Sequence, residues 1–129
     1  HSVDSERLLN QINKEGDKNN RIINVLLQIK ISNDPLKTGF EYSELGDMFS
    51  GSIFLKYKFV KIIGFMGIGS IDQSKNEKEF KKISDYFNKI NKIHDLKYLS
   101  LGMSNDYKLA IKYNSNMIRI GSLIFGSRN

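Results

Sequence analysis

Cysteine is absent from all 129 residues. That excludes disulfides and thiolate-ligated metals, and it suits a reducing compartment, so a cytoplasmic location is expected. No apolar run reaches 18 residues, so no spanning helix, and with it no membrane partner, is expected. The chain opens at His1 rather than Met, with no signal-peptide pattern; processing or truncation upstream is expected. No His-x-x-x-His pair, cysteine pair or carboxylate cluster supports a metal. A Gly-Lys-Ser/Thr phosphate loop is missing as well. Gly64-Phe65-Met66-Gly67-Ile68-Gly69 contains Gly-x-Gly, but Ser70, Ile71 and Asp72 do not complete a dinucleotide fingerprint. Arginine is scarce, with four residues beside 16 lysines.

The remainder describes one globular domain. Hydrophobic residues make up 40% of the chain, enough for one core. The net charge of +6 invites a nucleic-acid reading. The lysines, however, are spread along the chain among many Asn and Ile, as in a compositional bias. Tight phosphate binders use arginine forks as well as lysine. Phe54-Leu55-Lys56-Tyr57-Lys58-Phe59 interleaves aromatics with lysines, and its simpler reading is a strand-like approach with one wet face. No nucleic-acid partner is expected.

Hydrophobic periodicity alternates between two periods. Ser2-Val3 is a strand tail. Asp4 or Ser5 caps a helix to about Lys14, with Leu8, Leu9 and Ile12 on one face, and Gly16 ends it. Residues 22–31 form a β-branched apolar run of the buried parallel type, broken by Ser32-Asn33-Asp34-Pro35. A helix is predicted over 43–49, a strand over 60–66, and a long helix over 76–93 with Phe80, Ile83, Phe87 and Ile90 on one stripe. A strand over 98–101, a helix over 106–113, a strand over 117–120 and a short turn or helix over 123–125 follow. Ile23, Val25, Leu27, Ile29, Ile62, Phe65, Leu99 and Ile120 are the expected buried strand positions. The β-α alternation predicts a parallel sheet with helical crossovers. Four units and a strand tail are about half of an eight-unit barrel. An open doubly wound sheet is the alternative that geometry leaves open.

Two segments near the end carry the strongest signal. Leu99-Ser100-Leu101-Gly102-Met103-Ser104-Asn105-Asp106 and Met117-Ile118-Arg119-Ile120-Gly121-Ser122 each read as a short strand, a small-residue turn and a helix start. Such turns present N–H groups, hydroxyls and a helix N-terminus to an anion. In parallel α/β folds, strand C-terminal ends are where ligands bind. A phosphate-bearing small molecule is the expected ligand.

With Val25 to Ser32, Lys37-Thr38-Gly39-Phe40, Ile63 to Ile68 and His1 to Ser5, these segments resemble the pyridoxal phosphate homeostasis proteins (the YggS-like group) along the whole chain. Those proteins are single-domain relatives of the alanine racemase barrel. Lys30 stands where that group usually has asparagine, Asn105 where it often has glycine, and Ser122 where threonine is common. None of these removes a needed donor. The resemblance implies that residues 1–129 are the C-terminal half or more of a TIM-type (β/α)8 barrel, a single partial domain lacking N-terminal strands. It implies pyridoxal 5'-phosphate as cofactor, with the Schiff-base lysine in the missing portion rather than among the 16 lysines here. The complementary N-terminal segment or another copy of the chain is then a partner that could complete the domain.

The resemblance also assigns roles. Ser104 supplies a hydroxyl to the cofactor phosphate, and its structural alternative is helix capping. Gly121 lets backbone approach the phosphate where a Cβ would obstruct it, or is a packing glycine. Ser122 adds an N–H and a hydroxyl. Arg119 shares a strand side with Gly121 by alternation. It donates to the pyridine nitrogen, and because guanidinium holds its protons, that nitrogen stays unprotonated. The ring is then a poor electron sink for carbanions, which suits holding the cofactor more than using it. A surface salt bridge to Asp106 or another acid is the alternative for Arg119. His94, beside Asp95, reads as a solvent-facing or capping residue, and His1 as a terminal residue without a role. The function implied is a non-catalytic carrier in intracellular vitamin B6 homeostasis. The competing class is a pyridoxal-phosphate-dependent amino-acid racemase-like enzyme. Alanine racemase needs a second, β-rich domain for its tyrosine base, and the sequence stops at Asn129, three residues after Gly126.

Overall fold

The computed structural model describes residues 2–33, 38–51, 53–103, 107–113 and 115–119, with backbone alone at 53, 54, 102, 103, 107 and 117–119. Five strands, β1 (Ser2–Val3), β2 (Ile23–Ile29), β3 (Val60–Gly67), β4 (Tyr98–Met103) and β5 (Met117–Arg119), lie side by side in sequence order. Each pairs in parallel with the next. Helices α1 (Glu6–Lys18), α2 (Tyr42–Ser50), α3 (Ile53–Lys56), α4 (Asn76–Asn91) and α5 (Tyr107–Lys112) make the crossovers. Sequential order without reversal is the strand order of a barrel wall; a doubly wound sheet reverses at its switch point.

One sheet face packs against the helices. Leu27, Phe65 and Leu99 are register neighbours, each fully buried. Phe65 meets Phe49 of α2 at 5.8 Å and Tyr86 of α4 at 5.7 Å between ring centres. The opposite face buries Leu26, Met66 and Ser100. Burial on both faces explains why β2 and β3 read as continuous apolar runs. Of the expected strand core, Val25, Leu27, Ile29, Ile62, Phe65 and Leu99 are buried, Ile23 is half-buried, and Ile120 lies outside the described residues. Ile62 and Phe65 are three residues apart, so strict alternation would send them to opposite faces. The register shift that pairs Val25 with Ile62 but Leu26 with Gly64 leaves Ile63 over, and both side chains reach the helix-facing core.

Two local expectations are corrected. Gly16 does not end α1: the helix continues to Lys18, with Asn20 at φ 49° behind it. A Cβ at Gly16 would stand 2.6 Å from the Arg21 carbonyl oxygen and 2.7 Å from Phe59 Cβ, so this glycine is where the helix meets the β3 entry. Residues 54–59 are not strand-like: α3 ends at Lys56, and a turn containing the buried Tyr57 leads into β3. The other boundaries shift by a few residues at most. The predicted element over 123–125 lies outside the described residues.

Candidate functional site

The C-terminal ends of the five strands define one rim. After Val3 the lane beside β2 is taken over by Thr38–Phe40: Phe40 bridges Ile29 in parallel, its N–H donates to Gln28 O (2.8 Å), and Lys30 N–H donates to Phe40 O (2.9 Å). Gly39 makes this close approach possible. Its φ is +139°, and a Cβ would stand 2.8 Å from Lys30 N. Thr38 donates its hydroxyl to Asp4 Oδ2 (3.1 Å), and Gln28 Nε2 donates to Thr38 O (3.0 Å). Ser5 caps α1 by accepting from Leu8 N–H. Lys30 lies 3.9 Å from Glu41, at the limit of an ion pair.

At the end of β3, Ser70 joins two connections. Its N–H donates to Glu79 Oε1 (2.9 Å), and its hydroxyl donates to the other oxygen of the same carboxylate. Ser32, buried after β2, lies 3.0 Å from Ser70 Oγ and can donate to it once the Ser70 proton is committed to Glu79. A hollow of about 220 Å³ opens beside this cluster, lined by Asn33, Ser70, Ile71, Asp72 and Lys75. Asp72 is held below the usual carboxylate range by the hydroxyl and N–H of Ser74. Sequence reading passed over Ser32, Ser70 and Glu79; the signal was a serine just past the end of each of two consecutive strands.

β4 and β5 precede in sequence the two segments expected to bind phosphate. Asn116 fixes their pairing: its Oδ1 accepts Leu99 N–H (2.8 Å), and its Nδ2 donates to Lys97 O (2.7 Å). Ser115 Oγ accepts Leu101 N–H (3.1 Å) and lies within donating distance of Leu99 O. The register then pairs Ser100 with Met117 and Met103 with Arg119. Arg119 is therefore placed by its backbone at the end of β5, beside the residue that precedes Ser104 in sequence. Ser104, Gly121 and Ser122 lie outside the described residues, as do His1, Lys37, Asp106 and the Arg119 side chain. His94 is half-buried, with its ring 5.3 Å from that of Phe49, rather than solvent-facing. Among the described residues no group of acidic, histidine or cysteine side chains could hold a metal.

Five parallel strands in sequence order, joined by helical crossovers, define a β/α protein with the strand order of a barrel wall. Residues 1–129 match the family described as alanine racemase, N-terminal domain, and the chain belongs to it. The pyridoxal phosphate homeostasis protein of Aquifex aeolicus is 31% identical over 137 residues, 99% of this chain and 57% of that protein. The protein of the same name from Schizosaccharomyces pombe is 34% identical over 131 residues, 98% of this chain and 54% of its own length. Among solved structures, PipY from Synechococcus elongatus without PLP matches with a TM-score of 0.86 and 27% identity, covering 98% of this chain and 60% of that one. The chain thus spans little more than half the length of the relatives it matches.

Proposed function

We propose that this chain forms the phosphate- and ring-nitrogen-binding part of a pyridoxal 5'-phosphate carrier of the vitamin B6 homeostasis type, working in the cytoplasm. The observation that carries the reading is the β4–β5 register, which brings the strand ends before Ser104 and before Gly121-Ser122 side by side. The residues present fit a phosphate. Ser104 and Ser122 supply hydroxyls, Gly121 a Cβ-free approach and Arg119 a donor for the ring nitrogen. When bound, the cofactor supplies an aldehyde and a heteroaromatic ring, and a guanidinium at the ring nitrogen favours retention over carbanion chemistry. The described parts of the rim, residues 4–6, 30–33, 38–44 and 68–77, carry Asp4, Glu6, Glu41, Glu44, Asp72 and Glu77 against Lys30 and Lys75. The phosphate is therefore held by short-range N–H and O–H donors, not by a long-range attractive field from these segments.

In this reading residues 1–129 are consecutive units of one barrel domain, and the remaining strands and the Schiff-base lysine belong to the portion of the relatives that the chain does not match. Two observations support it. β1 pairs on one side among the described strands. Beside it lies an apolar hollow of about 400 Å³ lined by Ser2, Leu8, Gln11, Ile12, Glu15 and Ile23, suited to a complementary segment or another copy. Titration with pyridoxal 5'-phosphate, followed by absorbance, tests the proposal. Residues 1–129 alone should give no stoichiometric band, and adding the complementary segment should produce one that Ser104→Ala weakens. A stoichiometric band from this chain alone, lost on replacing one of its lysines, refutes the placement of the reactive lysine. Measurable amino-acid racemisation by the completed protein would favour the enzyme reading.

A further inference from the structure

The opposite rim, where helices hand over to strands, has a different chemistry. Residues 18–22, 57–61 and 92–97 are the connections entering β2, β3 and β4. They converge because Ile23 N–H donates to Phe59 O (2.9 Å) and Lys97 N–H to Ile63 O (2.7 Å). They carry Lys18, Arg21, Lys58, Lys61, Lys92 and Lys97, all exposed and none ion-paired among the described residues. The carboxylates here are Asp95 and, at the edge, Asp17, so this rim holds a net +4 of the chain's +6. Two large aliphatic side chains stand among these cations: Ile22 is 62% exposed and Ile93 76%.

We infer that this basic, isoleucine-bearing rim is a peripheral docking surface for an anionic lipid bilayer. Unpaired cations around protruding aliphatic side chains match a surface of negative headgroups over hydrocarbon. A single-stranded nucleic acid would call for exposed aromatic platforms. Here Tyr57 is buried and Phe59 half-buried, while the isoleucines would gain nothing from a polyanion. The acidic segments at the far end of the sheet orient the molecule with its ligand-binding rim away from the membrane. Among the described residues no helix is long and apolar enough to cross a membrane; this contact is superficial and needs none, and the inference stands apart from the cofactor reading.

Co-sedimentation of the full chain with phosphatidylcholine vesicles, with and without phosphatidylserine, tests it. Binding should require phosphatidylserine and weaken with salt. Lys58→Glu, Lys92→Glu and Lys97→Glu together should lower partitioning by more than about tenfold. Lys78→Glu with Lys108→Glu, away from the rim, should change it much less. Ile22→Ser with Ile93→Ser should lower it several-fold while leaving the salt dependence intact. Unchanged far-ultraviolet circular dichroism would show that these exposed substitutions leave the fold in place. The inference is overturned by no binding to the anionic vesicles at low salt, by binding indifferent to the rim variants, or by tighter retention on polyuridylate that ignores the isoleucines.

Discussion

One substitution, glycine to alanine, should have opposite consequences at three places in this chain. At Gly64 an added Cβ would lie 1.9 Å from the carbonyl oxygen of Tyr98 and 2.7 Å from its carbonyl carbon. Both atoms are backbone of β4, so no side chain can swing aside. Relief requires β3 and β4 to part by more than about 1 Å, since carbon and oxygen need ~3 Å or more between centres. Both strands are packed on both faces, and the cost should sit at the upper end of the overpacking range, about 3 kcal/mol. Gly16 lies inside α1, where alanine would ordinarily gain ~1 kcal/mol. The Arg21 carbonyl and Phe59 Cβ, both under 3 Å from the new atom, should reverse that gain into a net loss of about 1–2 kcal/mol. Gly46, in the middle of α2, has nothing within 4 Å of its added Cβ, and Gly46→Ala should stabilise by ~0.5–1 kcal/mol.

Urea unfolding followed by circular dichroism measures all three. The ordering should be Gly46→Ala above wild type, then Gly16→Ala, then Gly64→Ala lowest, with about 4 kcal/mol between the extremes. Gly64→Ala should also weaken cofactor binding in the completed protein, because β4 leads directly to Ser104; Gly46→Ala should leave binding alone. If Gly64→Ala and Gly46→Ala move the unfolding midpoint in the same direction, the close β3–β4 approach does not exist and the strand register is wrong.

Asn116→Ala removes the acceptor of Leu99 N–H and the donor to Lys97 O, and should cost about 1–3 kcal/mol, with faster amide exchange at Leu99 as the local signature. Glu77 is held below the usual carboxylate range first by the Tyr113 hydroxyl, which donates to it at 2.7 Å, and then by Lys112. Its support of the α4–α5 contact is therefore present above the ordinary carboxylate pKa and lost as pH falls through the depressed one. In Tyr113→Phe, the Glu77 titration followed by NMR should move upward toward the ordinary value, and an unmoved titration would show that the contact is absent in solution. Arg119→Ala in the completed protein should weaken cofactor binding by ~1.5–3 kcal/mol and alter its absorbance, whereas Arg119→Glu should favour a protonated ring; an unchanged spectrum in both variants points to a structural arginine.

The apolar runs of β2 and β3 and the stripe of α4 were readable because burial writes a period into the sequence. Gly16 was misread because a glycine late in a helix signals a C-cap, while the atom that required it, Phe59 Cβ, is 43 residues away in the chain. Lys56-Tyr57-Lys58 alternates as a strand would, yet Tyr57 is buried by a turn that alternation cannot distinguish. The bulge at Ile63 was equally invisible: both Ile62 and Phe65 were expected in the core, and the leftover residue lets both reach its helix-facing side. At the candidate site, the motifs around Ser104, Arg119, Gly121 and Ser122 stand out in the sequence, and their cofactor role is the reading proposed above. What holds the strands in place was not, because Asn116 and Ser115 act through backbone groups 14–19 residues distant.

Charge shows the same limit most clearly. Along the chain the lysines look evenly scattered, and an even scatter argues for compositional bias. Folding into β/α units replaces that linear order with a repeat of one strand and one helix. Arg21, Lys58 and Lys97 each stand just before a strand, separated by 37 and 39 residues. Residues spaced by about one unit return to the same end of the sheet, so an even scatter in sequence becomes a concentrated rim in space. Carboxylates follow the complementary phase, with Asp4, Glu41 and Asp72 at the strand-to-helix connections. The helix dipoles favour this sorting, acids at helix starts and bases at helix ends, and each unit contributes a small increment of the same sign. The polarity of the molecule is thus produced by ordinary helix-end preferences acting once per unit, and a period of one β/α unit is the scale on which it could have been sought in the sequence.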